Sequence, residues 1–84
     1  MAGQSVASRR KTIEKMRQNP RGWRIEDLRV IATRAGADVD HDGTSHVVFR
    51  HPGAGRISAP ASRPIKAVYV RLFLEFIDRV ERSG

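Results

Sequence analysis

Tyr69, Leu72, Phe73, Phe76, Ile77 and Val80 recur at intervals of three and four residues near the end of the chain. That spacing predicts a helix with a broad apolar stripe, which is stable only when another layer covers it. With 84 residues there is room for one compact core. The covering layer must therefore lie in the preceding sequence, where the period changes. Ala37 to His41, Ser45 to His51 and Arg56 to Ala59 are brief extended runs. Asp42-Gly43 and Pro52-Gly53-Ala54-Gly55 separate them, so three antiparallel strands follow. In the middle run Val47 and Phe49 alternate with His46, Val48 and Arg50. One face can enter a core while His46 and Arg50 share the other.

Before the strands, Ile25, Leu28, Ile31, Ala32 and Ala35 give a second, shorter apolar stripe. Glu26 and Asp27 sit in its first turn, where the helix dipole favours acids, and Gly36 closes it. Residues 60–64 read as a loop, with Pro64 suited to the first position of the last helix. The expected fold is α+β: a three-stranded antiparallel sheet with two helices on one face and the other face at least partly open. A short basic helix over residues 8–17, capped by Ser8, precedes it. Ile13 and Met16 are nearly its only apolar anchors, so loose docking is expected. The break at Asn19-Pro20-Arg21-Gly22 divides the chain into a basic N-terminal segment, 1–20, and the main domain, 21–84.

Sixteen Lys and Arg against nine Asp and Glu leave a net charge of +7. Such an imbalance favours a polyanionic partner, nucleic acid first, although a basic surface can also aid solubility or meet an acidic protein. There is no cysteine, which excludes disulfides, thiolate nucleophiles and Cys-based zinc sites. The N-terminal residues carry no apolar h-region and no stretch approaches a membrane span, so a cytoplasmic protein with no membrane partner is expected.

Three patterns invite a chemical reading. Asp38-Val39-Asp40-His41-Asp42-Gly43 matches the opening of an EF-hand loop, but position twelve falls on Phe49 and strand follows where helix is required. A hairpin turn explains it better. His41, His46 and His51 are evenly spaced, yet an odd separation puts His46 and His51 on opposite faces of a strand, against a shared metal. His46 stands apart because of its context, Gly43-Thr44-Ser45-His46, on the face it shares with Arg50. An imidazole titrating near neutral pH can take a proton from a ribose 2′-hydroxyl or give one to a leaving 5′-oxygen, and guanidinium groups can stabilise the charge that develops on phosphorus. Seven of the cations, Arg9, Arg10, Lys11, Lys15, Arg17, Arg21 and Arg24, fall in the first 24 positions. They can track a phosphate backbone or form only a solvated helix face. Arg63 and Lys66 sit at the start of the last helix, where backbone amides already favour phosphate. Trp23 can stack a base, but a lone Trp ahead of an amphipathic helix is more often a core anchor or staple.

Taken together, Gly22-Trp23, the Glu26-Asp27-Leu28 helix, Ser45-His46-Val47-Val48-Phe49, the Pro-Gly loop, Ile57-Ser58-Ala59-Pro60 and the segment from Ile65 to Ile77 resemble the HicA family of toxins. The likeness covers about two thirds of the chain. It implies a fold similar to the double-stranded RNA-binding domain and a type II toxin that cleaves mRNA as a metal-independent endoribonuclease. No cofactor is implied, and the partner is a HicB-type antitoxin. The family's histidine maps onto His46. Thr44 stands where the family carries glycine, and Thr44, Ser45, Arg50, Arg63 and Lys66 are the expected substrate contacts. A non-catalytic RNA-binding module of the same shape is the alternative.

Overall fold

The computed structural model describes residues 2–41, 45–61 and 64–83, with side chains from Arg10 onward. The elements run α1 (Ala2–Gln18), α2 (Ile25–Arg34), β1 (Asp38–Asp40), β2 (His46–His51), β3 (Gly55–Pro60) and α3 (Ala67–Ser83). The three strands form one antiparallel sheet in the order β1-β2-β3.

Strand alternation sets the layers. Val47 and Phe49 of β2 and Ala59 of β3 are buried, and they join Leu28, Ile31, Ile65, Phe73, Phe76 and Ile77 in a single core. Phe49 is its centre: its ring meets Phe73 edge-on at 5.1 Å and lies 6.4 Å from Phe76. Edge-to-face contact places the positive rim of one ring on the negative face of another, adding to what burial contributes.

The two ends of α2 follow from their residues. At its start the Asp27 carboxylate accepts the Arg24 backbone N–H at 3.0 Å, half of a capping box. At its end Gly36 N–H donates to Thr33 O and Ala37 N–H to Ala32 O. This Schellman closure requires the left-handed backbone that Gly36 adopts at φ +91°.

The structure corrects several expectations. Ser8 lies inside α1, which begins at Ala2, and is not at its N-cap position. Ile13 and Met16 are buried in the same core as the rest of the chain, and Arg17 is paired with Asp78 of α3. Two apolar side chains and one ion pair thus seat the second half of α1 on the domain, where loose docking was expected. β1 is confined to Asp38–Asp40. Pro60 ends β3 and is no loop residue. Ala61 N–H donates to Ser45 O, so the alternation makes His46 and Pro60 a non-hydrogen-bonded pair. The N–H that proline lacks is one the ladder does not use, and β3 is an edge strand. α3 begins at Ala67, and Pro64 precedes its first turn. The helix buries Val70 and Leu74 with Phe73, Phe76, Ile77 and Val80, while Leu72 is 42% exposed. Apolar residues surround most of this helix, so spacing alone does not select which arc faces the core.

Among the described residues no helix is long and apolar enough to cross a membrane.

Candidate functional site

Burying Val47, Phe49 and Ala59 turns the alternate residues of the sheet outward. Asp38 and Asp40 of β1, His46, Val48 and Arg50 of β2, and Arg56, Ser58 and Pro60 of β3 share this outer face. All but Val48 and Pro60, which are half-buried, are exposed. The register stacks them in rows: Asp38, Arg50 and Arg56 in one, Asp40, Val48 and Ser58 in the next, His46 with Pro60 at the end.

His46 opens β2 and is exposed, beside exposed Ser45. Ser58 is one diagonal step away on the neighbouring strand, roughly 7–8 Å between backbones. Arg50 is on the same face but four residues along, which is about 13 Å at strand rise. Its guanidinium donates to Asp40 Oδ2 at 2.8 Å. Arg56 stands directly across from Arg50 in a non-hydrogen-bonded pair, where side chains come closest. Among the described residues Arg56 has no acidic partner. Asp38 and Asp40 stand on the β1 side of Arg50, so two carboxylates match the two guanidinium groups, and Arg56, on the far side from both, is the one placed to meet a phosphate.

Sequence reasoning did not single out Arg56 or Ser58. The period-two alternation of residues 56–59 was readable, but which residue faces which depends on the length of the Pro52–Gly55 turn, and so on the register.

Lys66 is exposed just before α3, and its carbonyl accepts the Tyr69 and Val70 N–H groups, so it holds the N-cap position. Its ammonium stands by the positive end of the helix. Chain connectivity relates it to His46: Ala61 is bonded to Ser45, and Ile65 N–H donates to Trp23 O at 3.0 Å. The four steps from Ala61 to Ile65 span at most about 14 Å. Thr44 and Arg63 lie outside the described residues, as do Asp42 and Gly43, where a turn was expected.

The other histidines have other settings. His51 is half-buried, and its Nδ1 accepts Gly53 N–H at 3.0 Å, tying down the β2–β3 turn. His41 is exposed beyond β1. Among the described residues no three His, Asp or Glu side chains gather where a metal could sit. Trp23 is half-buried against the core and donates Nε1–H to Asn19 O at 2.7 Å. It occupies the position before the α2 N-cap, with buried Leu28 four places into the helix, the arrangement of a hydrophobic staple. Arg17, expected among the phosphate-tracking cations, is committed to Asp78, and that hydrogen bond raises its pKa further above the ordinary arginine value.

Fold and site together define a basic α+β domain with an open, polar sheet face that carries one exposed histidine and a cross-strand arginine pair. Compared with protein-family models, with curated proteins and with solved structures, the chain matches none.

Proposed function

We propose that the protein is a HicA-type toxin, a metal-independent endoribonuclease that cleaves mRNA on the open face of its sheet, with a HicB-type antitoxin as its inhibitor. The observation that carries this reading is the exposed position of His46 on that face, on the strand that also presents Arg50 and next to the strand that presents Arg56. The order of α2, three antiparallel strands and α3, with the helices on one sheet face, supports a likeness to the double-stranded RNA-binding domain.

In this reading His46 withdraws the proton from a ribose 2′-hydroxyl. The 2′-oxygen attacks phosphorus, the bond to the 5′-oxygen breaks, and a 2′,3′-cyclic phosphate forms while the 5′-oxygen takes up a proton. Ser45 and Ser58 offer hydroxyl donors near His46. Arg50 and Arg56 hold a phosphate further along the strand, and Lys66 with Arg63 holds one at the start of α3.

One observation favours a second reading, a binding module without cleavage: Arg50, held by Asp40, does not converge on His46. Incubating the chain with single-stranded and duplex RNA in EDTA decides between them. Fragments ending in 2′,3′-cyclic phosphate support the nuclease; RNA that is bound and left whole supports the binding module.

A further inference from the structure

A second basic feature lies away from the sheet face. The end of α1, the residues leading into α2 and the first turn of α2 enclose an open cleft of about 460 Å³, lined by Lys15, Arg21, Gly22, Trp23 and Asp27 among others. That volume is within the range of clefts that hold a small organic group. Among the described residues neither Lys15 nor Arg21 has an acidic partner. Arg17, between them in sequence, is turned away to Asp78.

The walls are fixed. Burial of Met16 and the Arg17–Asp78 pair hold the helix that carries Lys15. Trp23 is held by Nε1–H on Asn19 O and by its own carbonyl on Ile65 N–H, and Gly22 turns the chain with a left-handed backbone at φ +82°. Asp27 contributes a carboxylate already engaged by the Arg24 N–H. With Lys15 and Arg21 against the one carboxylate of Asp27, the lining keeps a net positive charge beside an aromatic ring, the composition of a site for a nucleotide in a single strand, the base against the ring and the phosphate on the cations.

We propose that this cleft binds one nucleotide of single-stranded RNA, its base against Trp23 and its phosphate between Lys15 and Arg21, at a point on the strand separate from the one His46 meets. The proposal rests on the RNA-binding reading and extends it to the basic N-terminal segment. The Trp23–Ile65 and Ala61–Ser45 hydrogen bonds make the path between the two points short, so a single strand can lie across Lys66 and occupy both. The cleft then selects single strands, because a base paired in a duplex cannot leave its stack for the ring without a cost of a few kcal/mol.

Trp23 is the only tryptophan, so its fluorescence reports on the cleft directly. The full-length His46→Ala chain is titrated with labelled single-stranded RNA so that the strand is bound and not cut, and anisotropy is recorded with fluorescence. Saturable quenching in step with the anisotropy is expected with RNA, and binding without quenching with inorganic polyphosphate. Adding Lys15→Glu and Arg21→Glu is expected to weaken RNA binding by about tenfold or more at low salt and to remove the quenching. RNA that raises the anisotropy without quenching overturns the proposal, and so does quenching that survives the charge reversal. Quenching by a polyglutamate peptide and not by RNA overturns it in favour of an acidic protein. If RNA moves neither signal, the RNA-binding reading itself falls, an outcome distinct from bound but unquenched RNA.

Discussion

Phe49 and Arg56 show how positions on one sheet divide between the core and the exposed face. Phe49 is fully buried and touches both Phe73 and Phe76. Phe49→Ala removes a ring from the centre of the core, and the loss of transfer energy and the cavity left behind together cost about 3–5 kcal/mol. Chemical denaturation should give that loss, with much of the population unfolded at growth temperature. Arg56 lies on the opposite face, exposed, where substitution leaves stability within about 0.5 kcal/mol. Its contribution is to the potential over the sheet. Arg56→Glu removes the guanidinium that faces away from Asp38 and Asp40 and adds a third carboxylate around Arg50, so this part of the face changes from near-neutral to negative. RNA affinity should fall by about tenfold or more at low salt, read by anisotropy, while the melting curve stays in place. Unchanged affinity removes the arginine pair from the interface.

At the scale of elements, the sequence was most informative where one physical cause dominated. The three–four spacing of Ile25, Leu28 and Ile31 located α2, and Gly36 located its end, because a Schellman closure needs a left-handed residue that glycine adopts freely. The alternation of Val47 and Phe49 with His46 and Arg50 assigned both faces of β2, which is why the outward face shared by His46 and Arg50 was legible. Legibility failed where causes compete. α3 has apolar residues on most of its circumference, and only packing against the sheet and α1 selects Val70 and Leu74 over Leu72 as buried. α1 has too few apolar residues to declare itself, yet Met16 is fully buried; one well-placed side chain outweighs a weak pattern. Met16→Ala should therefore cost about 2–5 kcal/mol, whereas Arg17→Ala, removing a half-exposed ion pair, should cost about 1 kcal/mol or less. Similar small effects from both, measured by denaturant titration, mean that α1 contributes little to the core. The arginine pair was illegible because it is a property of register across a turn and not of either strand.

For the whole molecule, net charge and its placement decide what the surface can hold. The chain carries +7; besides exposed arginines along α2 and α3, its cations include Arg50 and Arg56 on the outer sheet face, Lys66 at the start of α3, and Lys15 and Arg21 at the α1 cleft. A polyanion lying across them displaces counterions from several phosphates at once. Affinity for single-stranded RNA should fall about fiftyfold or more between about 50 and 200 mM salt if four or more phosphates are neutralised. An affinity that barely responds to salt instead favours a compact acidic protein partner, whose contacts are fewer and less regular. The proposed cleavage makes a narrower demand, since it assigns the chemistry to His46, an imidazole that the fold leaves exposed and to which it assigns no part in the core. The most direct measurement compares parent and His46→Ala chains on RNA in EDTA, with thermal unfolding recorded for both. Thermal stability should agree within about 0.5 kcal/mol, while formation of 2′,3′-cyclic phosphate ends drops about a hundredfold or more in the variant. Equal cleavage by the two chains, or a variant that unfolds as Phe49→Ala does, contradicts the catalytic assignment of His46.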